Sequence, residues 1–142
     1  SSEIINTNKK LESAEDNVIF LLNDLSNEKT LINLLKNELG EIRNCIFYAR
    51  FFIHAIDEDI ENKLLNLFNR CKNNNLLALE FRTIKDKTLK KEFGNHYRRF
   101  IDPHYLINKL AKMSLKVEYF VEGQGYAKYK VDDAFIARII VS

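Results

Sequence analysis

The chain is poor in the residues that break or link structure: its 142 residues include one proline, four glycines, two cysteines and no tryptophan. So few prolines and glycines leave little room for linkers, and no internal repeat or low-complexity segment is visible. We therefore predict a single domain over residues 1–142. No apolar run reaches the roughly 20 residues that cross a bilayer, and the N-terminus lacks a signal-peptide pattern, so no membrane association is predicted.

Cysteine usage and net charge exclude further classes of protein. Cys45 lies in an apolar run and Cys71 lies near the end of a helical pattern, and neither has a histidine or acid at metal-ligand spacing. This predicts buried free thiols, no metal site and a reducing, cytoplasmic location. The net charge of +2 is too small to indicate nucleic-acid binding by itself, so nucleic acid is an unlikely partner.

A glycine-rich turn that could cradle a phosphate or a cofactor is also missing. The glycines are Gly40, Gly94, Gly123 and Gly125, and none of them follows an early strand. Gly123 and Gly125 flank Gln124, and because no helix follows them we predict a hairpin turn and not a nucleotide-binding loop.

Apolar runs alternate with helical patterns along the chain. Predicted helices cover residues 3–13, 28–39 and 57–71, and a last helix begins at Asp102-Pro103. Predicted strands cover residues 18–22, 45–49, 76–81, 115–121 and 135–141. This order predicts an α/β fold with a parallel sheet covered on both faces and a C-terminal antiparallel hairpin. The asparagines at 73–75 are expected to end the third helix, because asparagine tolerates the left-handed conformation.

Charged residues follow several of the predicted strands. Ligands of such sheets bind outside the carboxyl ends of the strands, where the sequence places Asp24, Arg50, His54, Glu80 and Arg82. A loop of about 20 residues then follows, between Thr83 and Asp102, and loops of this length are often functional. Its cations outnumber its two acids, Asp86 and Glu92; they are Lys85, Lys87, Lys90, Lys91, Arg98 and Arg99. The loop predicts a site for an anionic or polyhydroxylated ligand.

Each of these residues also has a purely structural interpretation. Asp24 would serve as a helix cap, His54 as a partly buried residue with satisfied hydrogen bonds, and Glu80 with Arg82 as a surface pair. Two adjacent arginines cannot share one face of a strand, so one of Arg98 and Arg99 is expected to pair internally and the other to meet a ligand. The structural alternative is that the pair locks the loop onto Glu80 or Asp86.

Several runs together resemble the C-terminal two-thirds of a class I S-adenosylmethionine-dependent methyltransferase. They lie at 45–55 (CIFYARFFIHA), 78–83 (ALEFRT) with Asp86, 96–99 (HYRR), 121–129 (VEGQGYAKY) and 137–138 (AR). The chain looks most like bacterial enzymes found with surface-polysaccharide or sugar-modifying genes. The resemblance implies an incomplete Rossmann-like sheet and transfer of a methyl group to a small sugar or nucleotide-linked sugar. It also implies site residues: His54 and His96 as catalytic bases, Asp24, Leu25 and Arg50 at the cofactor, and Glu80, Arg82, Tyr97, Arg98 and Arg99 at the substrate.

The chain departs from this family at its start. Members begin with a strand, a glycine-rich turn and a helix, followed by a strand ending in an acid that binds the cofactor ribose, and none of these is present in the sequence. We therefore expect that the chain alone does not bind S-adenosylmethionine. Three explanations of the missing strands stay open: the chain is part of a longer polypeptide, a partner chain or self-association supplies the strands, or the sheet has closed up differently. The alternatives are a non-catalytic methyltransferase-like binding or assembly module and, less favoured, RNA binding through residues 85–99.

Overall fold

The computed structural model describes residues 27–89 and 98–142. The predicted helix at 3–13 and the predicted strand at 18–22 lie outside these residues, as do the predicted site residues Asp24, Leu25, His96 and Tyr97. The other predicted helices and strands fall within the described part of the chain.

The described residues form three α-helices and six strands. The helices are α1 (Glu28–Leu39), α2 (Glu58–Cys71) and α3 (Pro103–Lys112), and short 3-10 helices cover Ile53–Ala55 and Ile84–Thr88. The strands are β1 (Ile46–Arg50), β2 (Leu76–Arg82), β3 (Val117–Gly123), β4 (Lys128–Tyr129), β5 (Asp132–Asp133) and β6 (Ile136–Val141).

Four of the strands form one mixed sheet in the order β1-β2-β6-β3. β1 and β2 are parallel, whereas β6 lies antiparallel between β2 and β3. The predicted α/β class and the C-terminal antiparallel hairpin are therefore confirmed. Among the described strands, the parallel part of the sheet is limited to the β1–β2 pair.

The predicted tight hairpin turn at 123–125 is wrong. β3 ends at Gly123 and β6 begins at Ile136, and the connection between them contains a separate two-stranded ribbon, β4–β5. Within this connection the Asp133 side chain accepts a hydrogen bond from the Gly125 backbone N–H at 2.7 Å. Gly125 has a φ of +84°, a conformation that glycine adopts without the strain other residues meet.

Local sequence signals explain where the helices begin and end. Asp57 caps α2 by accepting a hydrogen bond from Ile60 N–H at 2.8 Å, and Asp102 caps α3 with Pro103 at the first helical position. Asn74 has a φ of +56°, as predicted for the asparagine run after α2. The buried Asn75 then accepts a hydrogen bond from Cys45 N–H at 2.8 Å, which joins the start of β1 to the start of β2.

The hydrophobic core lies on one face of the sheet, against α2 and α3. Its largest fully buried side chains include Leu65 and Phe68 of α2, Leu106 and Leu110 of α3, and Leu77, Leu79 and Phe81 of β2. The opposite face is open. Ile46 and Tyr48 of β1 are 68% and 64% exposed there, so the prediction of a sheet covered on both faces fails for the described part of the chain.

Three smaller expectations concern the cysteines, membrane-spanning helices and metal ligands. Cys45 and Cys71 are free thiols but half-buried, so the prediction of full burial is wrong for both. None of the described helices is long and apolar enough to span a membrane. The described residues also contain no group of three or more metal-ligating side chains that could hold an ion.

Candidate functional site

The carboxyl ends of β1 and β2 bring charged side chains together. In the parallel register Arg50 pairs with Glu80, and in the antiparallel register Glu80 pairs with Arg138 of β6. Three charged residues therefore lie side by side across neighbouring strands, on the face of the sheet opposite the core. Strand register, and not proximity in the chain, assembles this row.

Glu80 binds both neighbouring arginines. Its Oε1 accepts a hydrogen bond from Arg50 Nε at 2.9 Å and its Oε2 accepts one from Arg138 Nε at 2.7 Å. The Glu80 side chain is buried, whereas both arginines are substantially exposed. The hydrogen bond and the charge of Glu80 raise the pKa of Arg50 above its ordinary value. The carboxylate is thus compensated, one positive charge remains, and the guanidinium groups keep N–H donors that face solvent.

Arg82, at the end of β2, belongs to a second ionic group. Its Nη1 donates to Asp86 Oδ2 at 2.8 Å and its Nη2 donates to Asp132 Oδ2 at 2.9 Å. Burial alone lowers the pKa of Arg82, but the hydrogen bonds to the two aspartates outweigh it and raise that pKa overall. The proposed surface pairing of Glu80 with Arg82 is therefore wrong, because each has other partners. Asp132 belongs to β5, so this bridge also fixes the ribbon beside the strand ends.

An open cavity of about 580 Å³ lies at this edge, between the strand ends and the ribbon. Its lining combines three aromatic residues, three cations and one acid: Phe51, Tyr126, Tyr129, Arg50, Arg82, Lys128 and Asp132. The Arg138 guanidinium lies 5.3 Å from the centroid of the Tyr126 ring, and its Nη2 donates to the Tyr126 carbonyl at 2.9 Å. Four of these seven lining side chains are charged, so the cavity is more polar than the usual small-molecule site.

Phe51, the residue directly after β1, has an unusual backbone conformation. Its φ is +51°, which is rare and strained for a bulky side chain. The Phe51 N–H nevertheless donates to the Glu80 carbonyl at 2.7 Å, and the Arg50 guanidinium lies 5.2 Å from the Phe51 ring centroid. The chain therefore turns sharply at the cavity wall while β1 stays attached to β2 up to that point.

His54 is buried behind this edge. Its Nδ1 accepts a hydrogen bond from the Arg82 backbone N–H at 3.2 Å. Burial first, and then the charges of Arg82 and Arg98, lower its pKa to about 4. At neutral pH the ring is therefore uncharged, Nε2 carries the proton and Nδ1 is already engaged. Its role as a base remains a prediction, which would require the ring to leave this hydrogen bond.

Arg99 pairs internally, but not with the expected partners. Its Nη2 donates to Glu61 Oε2 and, at 3.3 Å, to the Ile53 carbonyl. Glu61 is buried in α2 and also accepts a hydrogen bond from Lys109 Nζ of α3 at 2.6 Å. The structural alternative that Glu80 or Asp86 holds this arginine is therefore wrong. The internal pairing of one of the two adjacent arginines was foreseeable, but the identity of its acid was not, and the ligand-binding role of Arg98 stays a prediction.

Arg138, Asp132, Glu61 and Lys109 of these ionic groups escaped the sequence-based site prediction, and two of them carried a signal in the sequence. Arg138 lies within the otherwise apolar strand Ile136–Val141, and a lone charge in such a run is a signal of a site or a buried pair. Glu61 lies four and seven residues before Leu65 and Phe68, so helical periodicity places it on the buried face of α2. Both signals were present in the sequence.

The described residues do not fit S-adenosylmethionine as a cofactor. Among the glycines of the described ranges, Gly40 follows α1 while Gly123 and Gly125 precede no helix, so none forms a phosphate- or methionine-cradling turn. The carboxylates at the strand ends are also committed: Glu80 to two arginines, and Asp86 and Asp132 to Arg82. None of these three described carboxylates is available to bind ribose hydroxyls.

Comparison with known proteins does not extend this description. No protein-family model matches the sequence, and no curated protein matches it either. The fold and the site define the chain as an α/β protein with a polar, aromatic-lined cavity at the carboxyl ends of its parallel strands.

Proposed function

We propose that the chain is the substrate-side portion of a class I S-adenosylmethionine-dependent methyltransferase with a Rossmann-like fold. Its substrate would be a small sugar or nucleotide-linked sugar used in polysaccharide biosynthesis, bound in the cytoplasm. The observation that carries the proposal is the cavity of about 580 Å³ at the carboxyl ends of β1 and β2. Open α/β sheets bind their ligands at this edge.

The composition of the cavity suits a sugar that carries a negative charge. Phe51, Tyr126 and Tyr129 offer rings against which the apolar face of a sugar can pack. Arg50 and Lys128 add positive charge, and a guanidinium fork binds phosphate oxygens in a defined orientation. A neutral apolar ligand would leave these donors without partners, which costs binding free energy.

The placement of the resembling runs also supports the proposal. The runs at 45–55, 78–83 and 121–129 all contribute residues to the lining of this one cavity, through Arg50, Arg82 and Tyr126. A mixed sheet with a C-terminal antiparallel hairpin is likewise what the resemblance implies. Methyl transfer depends mainly on holding the acceptor in position, with a base in some cases. His96 and His54 remain the candidate bases, and the cofactor contacts would come from other residues.

The alternative proposal is a non-catalytic methyltransferase-like module that binds a ligand or completes a larger assembly. It is favoured by the commitment of Glu80, Asp86 and Asp132 to arginines, so that none of these three described carboxylates is available to a cofactor. Both proposals use the same cavity, and they differ in whether another polypeptide restores methyl transfer.

Titration of the full chain with UDP-glucose, followed by NMR, tests ligand binding at the cavity. We expect shifts at Phe51, Tyr126 and Lys128, with weaker binding of glucose, because glucose lacks the phosphates. Arg50→Ala should lower the affinity about tenfold, the scale of one charge-assisted hydrogen bond.

Arg43→Ala is a matched control for this experiment. Arg43 and Arg50 are equally exposed, at 57% of the side chain, and each pairs with a glutamate, but Arg43 does not line the cavity. The control should bind like the unaltered chain. The absence of shifts at the cavity, or equal loss of affinity in both variants, would contradict the proposed site.

A further inference from the structure

Within residues 27–89 and 98–142, the backbone groups on the outer edge of β1 have no hydrogen-bond partner, and the strand is mostly apolar. β1 is the end strand of the described four-stranded sheet. The Cys45 carbonyl accepts from Leu76 N–H at 2.9 Å, and Phe51 N–H donates to the Glu80 carbonyl at 2.7 Å, so these residues face β2. Because backbone groups alternate in direction along a strand, Ile46, Tyr48 and Arg50 direct theirs away from the sheet.

The two edges of this sheet differ in the features that discourage pairing. β3, at the opposite edge, has a register irregularity between Val117 and Tyr119, and its Glu118 forms an ion pair with Lys116. Bulges and charges of this kind protect an edge strand from association. β1 pairs with β2 without such an irregularity, and its only charge is at its last residue, Arg50. Two copies of the chain can therefore approach through β1 more readily than through β3.

We propose that two copies of this chain pair through their β1 strands, antiparallel, about a two-fold axis at Tyr48. In this register Tyr48 faces Tyr48 of the second copy, and Ile46 faces Arg50 of the second copy. All three outward residues then lie in hydrogen-bonded pairs, in which both backbone groups of each residue find partners. The two sheets become one continuous sheet, and the contact is isologous, as two-fold symmetry requires.

Other registers pair fewer backbone groups or place like charges opposite each other. Shifting one copy by two residues leaves Ile46 or Arg50 without a partner, and shifting it by four in one direction brings the two Arg50 side chains together. Like charges directly opposite each other destabilise a strand pair, whereas aromatic pairs stabilise it. The register centred on Tyr48 gives the largest number of backbone pairs together with an aromatic contact at the axis. The proposal does not depend on the proposed function.

Sedimentation equilibrium of the full 142-residue chain tests the proposal. We expect a concentration-dependent monomer–dimer equilibrium. Tyr48→Lys places two lysines at the axis and should raise the dimer dissociation constant about tenfold or more. Tyr119→Lys is the control, because Tyr119 is an exposed tyrosine of the opposite edge strand. Thermal unfolding of both variants shows that each remains folded.

Residue-resolved amide exchange gives an independent result. As the protein concentration rises, exchange at Ile46, Tyr48 and Arg50 should slow, while Phe47 and Ala49, which face β2, should not change. A monomer at every concentration would overturn the proposal. So would a dimer that Tyr48→Lys and Tyr119→Lys weaken equally, because that result indicates packing through the open face of the sheet and not through its β1 edge.

Discussion

Two buried glutamates of this fold are each held by two cations, and they differ in what those cations face. The partners of Glu80, Arg50 and Arg138, are 57% and 40% exposed, and Arg50 lines the cavity. The partners of Glu61, Arg99 and Lys109, are only 25% and 18% exposed. The cations at Glu80 therefore keep N–H donors that face solvent, whereas those at Glu61 join structural elements. The exposure of the cations, and not the burial of the acid, distinguishes the group proposed to bind a ligand from the structural group.

The largest expected effect is at the structural glutamate. Glu61→Ala leaves Arg99 and Lys109 without their buried carboxylate and should lower the free energy of unfolding by about 3 kcal/mol, near the lower end of the usual range because both cations reach some solvent. Urea unfolding measures this loss. Glu58→Ala, at an exposed acid that also contacts Lys109, should cost only about 0–1 kcal/mol. Equal losses in the two variants would show that the burial of Glu61 adds nothing to the free energy of unfolding.

The next effect is a pH dependence that His54 imposes on stability. Its pKa is lowered from 6.5 to about 4 in the folded chain, so the unfolded chain binds the proton more readily. The neutral, buried His54 therefore stabilises the folded chain, and this stabilisation is fully present above pH 6.5 and is lost as the pH falls towards 4. Between pH 7 and pH 5 the loss from His54 should be roughly 2 kcal/mol.

Urea unfolding at the two pH values checks this dependence. His54→Gln should reduce the difference between them, whereas His104→Asn, at an exposed histidine of α3, should leave it unchanged. If the pH difference in the free energy of unfolding persists in His54→Gln, other titratable groups cause it, and the predicted contribution of His54 is contradicted.

The smallest expected effect concerns the cofactor: we expect no binding signal when S-adenosylmethionine is added to the isolated chain. Calorimetric titration of the isolated chain with S-adenosylmethionine should show no measurable binding, because the described residues provide neither the glycine turn nor a free carboxylate for the ribose. Micromolar affinity would mean that residues outside 27–89 and 98–142 complete a cofactor site, and it would favour the enzyme over the non-catalytic module.

Local signals were sufficient to predict much of the fold. Apolar runs marked β1, β2, β3 and β6, and Asp57 and Asp102 marked the starts of α2 and α3. These signals succeed because strands, caps and helix ends depend on residues that are close in the chain. The ribbon β4–β5 has no apolar run of its own, and so the sequence did not predict it.

The partners within the site could not be predicted in the same way. Glu80 and Arg138 are 58 residues apart in the chain, and Arg99 and Glu61 are 38 apart. Only the strand register and the packing of the loop onto α2 bring these side chains together. The sequence therefore indicated which residues are charged at the binding edge, but not which charges compensate each other.

The most direct test of the central claim is an NMR titration of the arginine side chains with UDP-glucose. We propose that Glu80 with Arg50 and Arg138 binds the ligand, and that Glu61 with Arg99 and Lys109 is structural. The Nε–H resonances of Arg50 and Arg138 should then shift with the ligand concentration, and that of Arg99 should not move. Shifts at Arg99 with none at Arg50 or Arg138 would contradict the account, because the ligand would then contact the group assigned to the structure.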